Sequence, residues 1–346
     1  MTGKRMGVLA LAGVLAIVAG GCGGGKTAET TTASTTTTAG QTLRIGMVTD
    51  VGGLNDRGFN ALAYQGLQQA KRRLGATIQV AESKSPADYI PNLASFARRG
   101  FDLVIGVGYT EIGAMGAAAK RFPDTNFAIV DVANGDLAGA PPNVLGLLFR
   151  EEQVGYLAGY LAGLEAKRLP GRDVISSVAG EKQPPVDRFI AGYQAGAKSA
   201  DPGIATPNAY SQDFNDQAKC KAPALNQIAA GSMAVFSVAG GCGLGALDAA
   251  REQGVWGIGV DADQSFLGPH ILTSATKRVD RAVFLAIKSV QDGTFKGGDA
   301  EYGLAEGGVG LGKISPKVPK SEVAAVEKIK AQIVAGKLQI PKTIAG

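Results

Sequence analysis

From Leu43 onward two patterns alternate along the chain. Short, unbroken apolar runs rich in Val, Ile and Ala are separated by longer stretches whose apolar residues recur at helical spacing. In the first half the runs fall at residues 43–49, 77–81, 103–107, 127–132 and 144–149. A run that does not alternate with polar residues suits a strand covered on both faces, so these predict buried parallel strands. Residues 59–74, 86–99 and 111–121 predict the helices between them. Strand and helix in alternation imply a doubly wound α/β sheet.

The pattern then restarts. Residues 151–167 predict a strong helix, with Gly155, Ala158, Gly159 and Ala162 along one packing face. Strands are predicted at 174–179, 205–210, 234–239 and 256–260, with helices at 187–199, 216–229 and 244–253. A further strand at 271–275, a helix at 279–291 and a last helix at 321–335 complete the chain. Two sheets of similar size follow, with the final elements returning to one or both. That layout fits a two-lobed binding protein with crossings near residues 149–151 and 266–273, or two tandem Rossmann-like enzyme domains. In either case the ligand crevice lies at the carboxyl ends of the strands.

The residues just after the strands therefore matter most. The first strand runs into "DVGGLNDRGFN", with Asp50, Gly52, Gly53, Asn55, Asp56, Phe59 and Asn60. Later strands are followed by Gly106, Gly108, Tyr109 and Thr110, then by Asp131, then by "SQDFND" with Phe214. "GGCGLG" comes next, then Asp261, Asp263 and Gln264, and finally Lys277. Asp50, Asp131 and Asp261 are acceptors for paired hydroxyls. Phe59 and Phe214 offer flat apolar faces that can sandwich a ring. Lys277 offsets the acids or donates to a ligand acceptor, and Gly240, Gly241 and Gly243 allow close backbone approach. The set describes a neutral, hydroxyl-rich aromatic ligand such as a nucleoside; three carboxylates would repel a nucleotide's phosphate. Taken singly, each has a plainer role. Asp216 reads mainly as a helix N-cap, Asn55 and Asp56 as loop and cap residues, and Phe59 could be a core staple.

The start of the chain follows neither pattern. Lys4 and Arg5 precede the apolar stretch "MGVLALAGVLAIVA", which has the length of a signal-peptide core and is short for a membrane span. It ends in "AGGC", which resembles a bacterial lipobox except that Ala19 stands where an aliphatic residue is usual. Residues 1–21 are thus expected to be a signal peptide and Cys22 a lipidated residue. Residues 22–41, rich in Thr, cannot bury enough apolar surface to order and read as a flexible tether. The mature protein is expected on the extracytoplasmic face of the cell membrane, held by lipid.

Composition narrows the classes. The 346 residues allow one large or two ordinary domains, and 45% hydrophobic residues allow a real core. The net charge of +5 would fall to +3 once Lys4 and Arg5 are removed, and no basic stripe carries interleaved aromatics, so no nucleic-acid partner is expected. His270 is the sole histidine, which leaves no His-based triad or His-rich metal site. "GGCGLG" does not match GxGxxG, and no phosphate-cradling Walker loop occurs. No cofactor, no metal and no catalytic residue is expected, and a monomer is the default.

"IGMVTDVGGLNDRGFN", "FAIVD", "FREEQVGYLAGYLAG", "VFSVAGGCGLG", "GIGVDADQ" and "LTSATKRVDRAV" together resemble the basic membrane protein family, purine-nucleoside-receptor-like substrate-binding lipoproteins of ABC importers. The similarity runs from about Leu43 to the C-terminus. It implies a type I periplasmic-binding-protein fold, α/β, with two Rossmann-like lobes and a ligand cleft between them. Residues 42–149 with part of 270–346 would form the N-terminal lobe, and 150–265 with part of 290–320 the C-terminal lobe. By motif, Phe59 and Phe214 would stack on a base. Asp50 and Asp131 would bind the base edge or the cleft, and Asn60 would reach the base. Asp261 and Lys277 would bind the ribose side, and Gly240 and Gly241 match glycines beside the ligand. The implied partners are a nucleoside and a membrane permease. The family often has Thr where this chain has Cys242, and a Lys-Gly-Lys-like stretch where it has "KCK". The placement of Phe214 is the loosest match, with Tyr210 or Phe236 as alternative stacking residues. Cys220 and Cys242 should lie at the same end of the second sheet, within the ~5–6 Å Cα separation of a disulfide, and are expected to bridge. Other readings of the cleft are a sensor or binding protein for a sugar-like ligand, or a nucleoside hydrolase.

Overall fold

The structure is a computed structural model and describes residues 42–169 and 173–344. Cys22, the expected signal peptide and the Thr-rich tether lie outside the described residues. Residues Thr42–Gly346 form one compact unit. In chain order the first elements are β1 Arg44–Thr49, α1 Phe59–Leu74, β2 Thr77–Glu82, α2 Tyr89–Arg98, β3 Leu103–Val107, α3 Ile112–Arg121, β4 Asn126–Val130 and β5 Val144–Phe149. Then come α4 Glu151–Arg168, β6 Ser176–Ala179, α5 Pro184–Ala200, β7 Asn208–Tyr210, α6 Gln217–Ala229, β8 Ala234–Val238, α7 Gly243–Glu252, β9 Trp256–Asp261 and β10 Ile271–Lys277. The chain ends with α8 Val279–Gln291, β11 Gly298–Tyr302, β12 Val309–Leu311 and α9 Lys320–Val334.

Two six-stranded sheets result, in the orders β11-β5-β4-β3-β1-β2 and β12-β10-β9-β8-β6-β7. Strand for strand the two orders correspond, so β4 and β9 occupy equivalent places. All neighbours are parallel except β12, which runs antiparallel to β10. The chain passes between the lobes after β5, after β10 and between β11 and β12. The crossing expected around residues 266–273 is not one, because that segment joins β9 to β10 inside the second sheet. The crossing lies at Lys277–Val279, from which α8 returns to pack on α1 so closely that a Cβ on Gly66 would collide with the Asp280 carbonyl. Strands β11 and β12 had no forecast: "GDAEY" contains no apolar run, and it pairs only with β5 at the sheet edge. Strands β6 and β7 are shorter than expected, with a lone bridge from Val174 to Ala205 extending them.

Stability comes from the sheet interiors. Phe127, Phe149, Phe236, Met47 and Ile105 are fully buried, and each such side chain contributes roughly 1.5–3 kcal/mol relative to exposure. The second lobe adds a glycine-lined helix contact. Gly155, Gly159 and Gly163 of α4 face Gly192 and Gly196 of α5, and a Cβ on Gly155, Gly159, Gly192 or Gly196 would collide with a backbone carbonyl of the facing helix. Backbone lies directly on backbone there, which fixes the starts of both helices relative to one another. Among the described residues no helix is long and apolar enough to cross a membrane.

Candidate functional site

The carboxyl ends of the strands in the two sheets face one another across a cavity of about 630 Å3, part of it open to solvent. Asp50, Phe59, Asn60, Asp131 and Lys277 line it, and so do Phe214, Gly240, Gly241 and Asp261. The nine residues that the resemblance places at the ligand therefore stand on one wall system, whereas Gly106, Gly243, Asp263 and Gln264, also named from the strand ends, do not line it.

On the first lobe, Asp50 directly follows β1. Its Oδ1 accepts from the Gly52 N–H at 2.8 Å and from Asn60 Nδ2 at 2.7 Å. Burial pushes the Asp50 carboxyl up to about 6, against these two hydrogen bonds. With its amide nitrogen committed to Asp50, Asn60 has an Oδ1 that is buried and without a partner. Asp56 organises the start of α1. Its carboxylate accepts from the N–H groups of Gly58, Asn60 and Ala61 at 3.0, 2.7 and 3.0 Å, serving the donors a helix start leaves open. Asp56 also lines the cavity, a second role its cap position did not announce. Gly108, at φ 120°, turns under this wall; a Cβ there would stand 3.1 Å from Asp50 Oδ2 and 3.6 Å from the Phe59 ring. Behind Asp50, burial holds the Glu111 carboxyl well above the usual carboxylate range, and its Oε1 accepts from the Val107 N–H at 3.2 Å.

Asp131 follows β4 in the left-handed region, at φ 72°, an uncommon and strained place for a residue with a side chain. Its carboxylate holds Lys277 Nζ at 2.6 and 2.7 Å. Lys277 is 1% exposed and also reaches Glu151 Oε1 at 2.9 Å, while Glu151 Oε2 takes Arg188 Nε at 2.7 Å. Burial pulls the Lys277 ammonium down, but Asp131, Glu151 and Asp261 more than offset it, so its pKa stands above the ordinary lysine value. Phe59, Phe149 and Phe189 surround the ammonium with ring centroids at 5.2, 5.0 and 5.7 Å. Asp131, Glu151, Lys277 and Arg188 form a quartet whose formal charges cancel.

On the second lobe, Phe214 lies over Gly180, where a Cβ would collide with its ring. The Phe214 carbonyl accepts from the Cys242 N–H at 2.9 Å. Cys242 is disulfide-bonded to Cys220 in the first turn of α6, with 5.5 Å between the Cα atoms. Asp216 caps that helix, accepting from the Ala218 N–H at 2.9 Å. Gly240, at φ 52°, and Gly241 pass within 3.3 and 3.4 Å of the Phe214 carbonyl, counted from the Cβ each lacks. Asp261 closes β9 at φ 62°, and the Ala262 N–H bonds the Val260 carbonyl across it at 2.7 Å, a tight and strained turn. Burial pushes the Asp261 carboxyl up to about 7, with Lys277 pulling the other way. Among the described residues no protein group donates a hydrogen bond to its side chain. Between the lobes, Asn215 Nδ2 donates to the Val51 carbonyl at 3.0 Å.

Tyr210 and Phe236 are not cavity residues. The Tyr210 hydroxyl bonds Asp187, and Phe236 sits in the core against Phe189 and Tyr193. The start of α5 supplies Gln183, Pro185, Val186 and Phe189, which a search of strand ends does not reach. "QPPV" marks where this helix starts, since Pro suits the first helical positions, and a search of helix starts as well as strand ends would have reached them. Among the described residues no cluster of His, Cys, Asp or Glu could hold a metal ion. The walls thus present carboxylates with no free cation, an unpartnered amide oxygen and two half-buried aromatic rings. They suit a neutral ligand that combines donors with a flat ring.

Residues 44–344 match the family model described as ABC transporter substrate-binding protein PnrA-like. The ABC transporter nucleoside-binding protein BmpA of Lactococcus lactis is 34% identical over 323 residues, covering 86% of this chain and 89% of that protein. An uncharacterized lipoprotein of Pyrococcus horikoshii is 36% identical over 309 residues, covering 86% of this chain and 74% of its own length. An ABC transporter solute-binding protein from Aeropyrum pernix superposes with a TM-score of 0.80 at 28% identity, over 87% of this chain and 93% of that one.

Proposed function

The chain belongs to the PnrA-like family of ABC transporter substrate-binding proteins, and we propose that its ligand is a nucleoside, held between the lobes and delivered to a membrane permease. The single observation that carries this is the pairing of walls: Phe59 and Phe214 approach one cavity from opposite lobes, and the unpaired Asp261 carboxylate shares it. In this reading the rings stack on the base, and Asp50 with Asn60 meets the base edge. Asp261 accepts from ribose hydroxyls, beside Lys277 and Asp131. Gly240 and Gly241 let the ligand lie against backbone. The nucleoside-binding name of the Lactococcus relative supports the ligand class. Closure would bring Phe214, Gly241 and Asp261 onto a ligand first met by Asp50, Phe59 and Asp131, with the lobe crossings as hinges. No bond is made or broken. Cys22 would carry the lipid that keeps the protein on the extracytoplasmic face, in line with the lipoprotein name of the Pyrococcus relative.

Isothermal titration of the fragment beginning at Thr42 with guanosine, inosine, adenosine, cytidine and ribose tests the reading. We expect a purine nucleoside to bind at micromolar strength or tighter, about 8 kcal/mol, and ribose alone to bind far more weakly. Heat from none of the five, or free base released from inosine, would sink it.

A further inference from the structure

The quartet around Lys277 contains two residues that do not line the cavity, Glu151 and Arg188. Glu151 is fully buried; its Oε2 accepts from Arg188, and its Oε1 stands in an ion pair with Lys277. Its place in the chain is unusual. Glu151 opens α4 immediately after the β5 crossing, and Lys277 closes β10 immediately before the second crossing. Asp131 belongs to the first lobe and Arg188 to α5 of the second. One line of paired charges therefore runs from the first lobe, through both crossings, into the second. We propose that Glu151 and Arg188 are positioning residues of the ligand site: they set where the Lys277 ammonium and the Asp131 carboxylate stand on the cavity wall, and they tie ligand contact there to the joints between the lobes.

The geometry supports this over a purely structural ion pair. Lys277 Nζ donates to Asp131 Oδ2 and stands 2.9 Å from Glu151 Oε1, so two carboxylates from different elements fix where the ammonium stands. The three aromatic rings around Nζ offer no other strong acceptor. Without the Glu151 charge, Lys277 would be held by Asp131 alone and free to swing about it. The same helix carries a natural control. Glu165 is also fully buried and is held by Arg168 at 2.7 Å and by the Trp256 indole at 3.1 Å, but it sits about 21 Å further along α4, away from the cavity.

The inference rests on the nucleoside reading for its ligand, so the test has one arm that needs none. Glu151→Gln, Arg188→Lys, Arg188→Met and Glu165→Gln would be compared with the parent chain by guanosine titration and thermal unfolding. The 1H–15N resonance of the Lys277 side-chain ammonium would be followed without ligand. We expect Glu151→Gln to weaken guanosine by about tenfold or more and Glu165→Gln to leave affinity within about twofold at a similar loss of Tm. Glu151→Gln should move the Lys277 resonance, and Arg188→Lys should retain more affinity than Arg188→Met. Parent-like affinity and an unmoved resonance in Glu151→Gln would overturn the proposal, as would affinity losses that simply track Tm across all four variants. Should the parent bind no nucleoside, the nucleoside reading falls by itself, and the ammonium resonance alone decides the positioning role.

Discussion

Asp131 and Asp261 make an instructive pair. Each ends an equivalent strand, β4 in one sheet and β9 in the other, and each holds its backbone in the left-handed region, at φ 72° and 62°. The two lobes have built the same device twice. Its electrostatics differ. Burial raises the Asp131 carboxyl too, but Asp131 is matched directly by Lys277 within a quartet of balanced charge. Asp261 has no donor of its own among the described residues, and its carboxyl is pushed up to about 7. The same left-handed φ thus serves two purposes. On the first lobe the carboxylate is an internal anchor that fixes a wall before any ligand arrives. On the second it is an acceptor left open, at an energetic cost that a donor from outside would relieve.

The largest expected effect breaks the anchor. Lys277→Met leaves Asp131 and Glu151 buried without a shared cation and should destabilise the ligand-free protein by about 3–5 kcal/mol in urea unfolding. A loss of ~1 kcal/mol or less, as for a surface pair, would show that the quartet does not hold that wall. The next effect concerns the open acceptor. The Asp261 pKa lies above the ordinary 3.8, so from about pH 4 to 7 the folded protein keeps a proton that the unfolded chain has released. Its contribution to stability is therefore present at low pH, falls as pH rises through that window, and is flat above it. Asp261→Asn should remove this slope and stabilise the free protein near pH 8 by on the order of 2–4 kcal/mol, while weakening nucleoside binding. An unchanged pH profile in the variant would mean that Asp261 is already satisfied. The smallest effect compares the rings. Phe59→Ala and Phe214→Ala should each cost ~1–3 kcal/mol of nucleoside affinity. Only Phe59→Ala should also lower Tm, because its ring covers the Lys277 ammonium while Phe214 covers Gly180. Equal Tm losses in the two variants would erase the distinction between a prearranged lobe and an open one.

What could be seen in the sequence followed from range. The strands "RIGMVT" and "LVIGV" are legible because burial on both faces writes an unbroken apolar run into a few adjacent residues. Asp50, Asp131 and Asp261 are legible because they stand directly behind such runs. Strand β11 leaves no comparable trace: its residues alternate between half-buried and exposed, and the strand exists only because β5 offers an edge. Glu151 reads as one more acid at a helix start, where it is common for reasons of dipole alone. Its partners lie 126 and 37 positions away, at Lys277 and Arg188, and nothing local records them. Phe189 and Gln183 escape for a related reason, since they reach the cavity from the start of a helix rather than from the end of a strand. The crossing after β10 was misplaced because "QSFLGPH" has the look of a joint, while the true joint, at Arg278, falls between two regular elements without a Gly or Pro to mark it.

The glycines of α4 and α5 have a consequence for how this gene can change. At Gly155, Gly159, Gly192 and Gly196 the smallest possible side chain already meets backbone. These codons are closed to every alternative for reasons no ligand imposes. Intolerance to substitution in this protein therefore has two unrelated sources, a chemical one around Lys277 and a purely spatial one in the helix pair. A lineage could alter its cargo by editing the cavity wall while the glycine ridge stayed fixed, so constancy along that ridge would say nothing about what the protein carries.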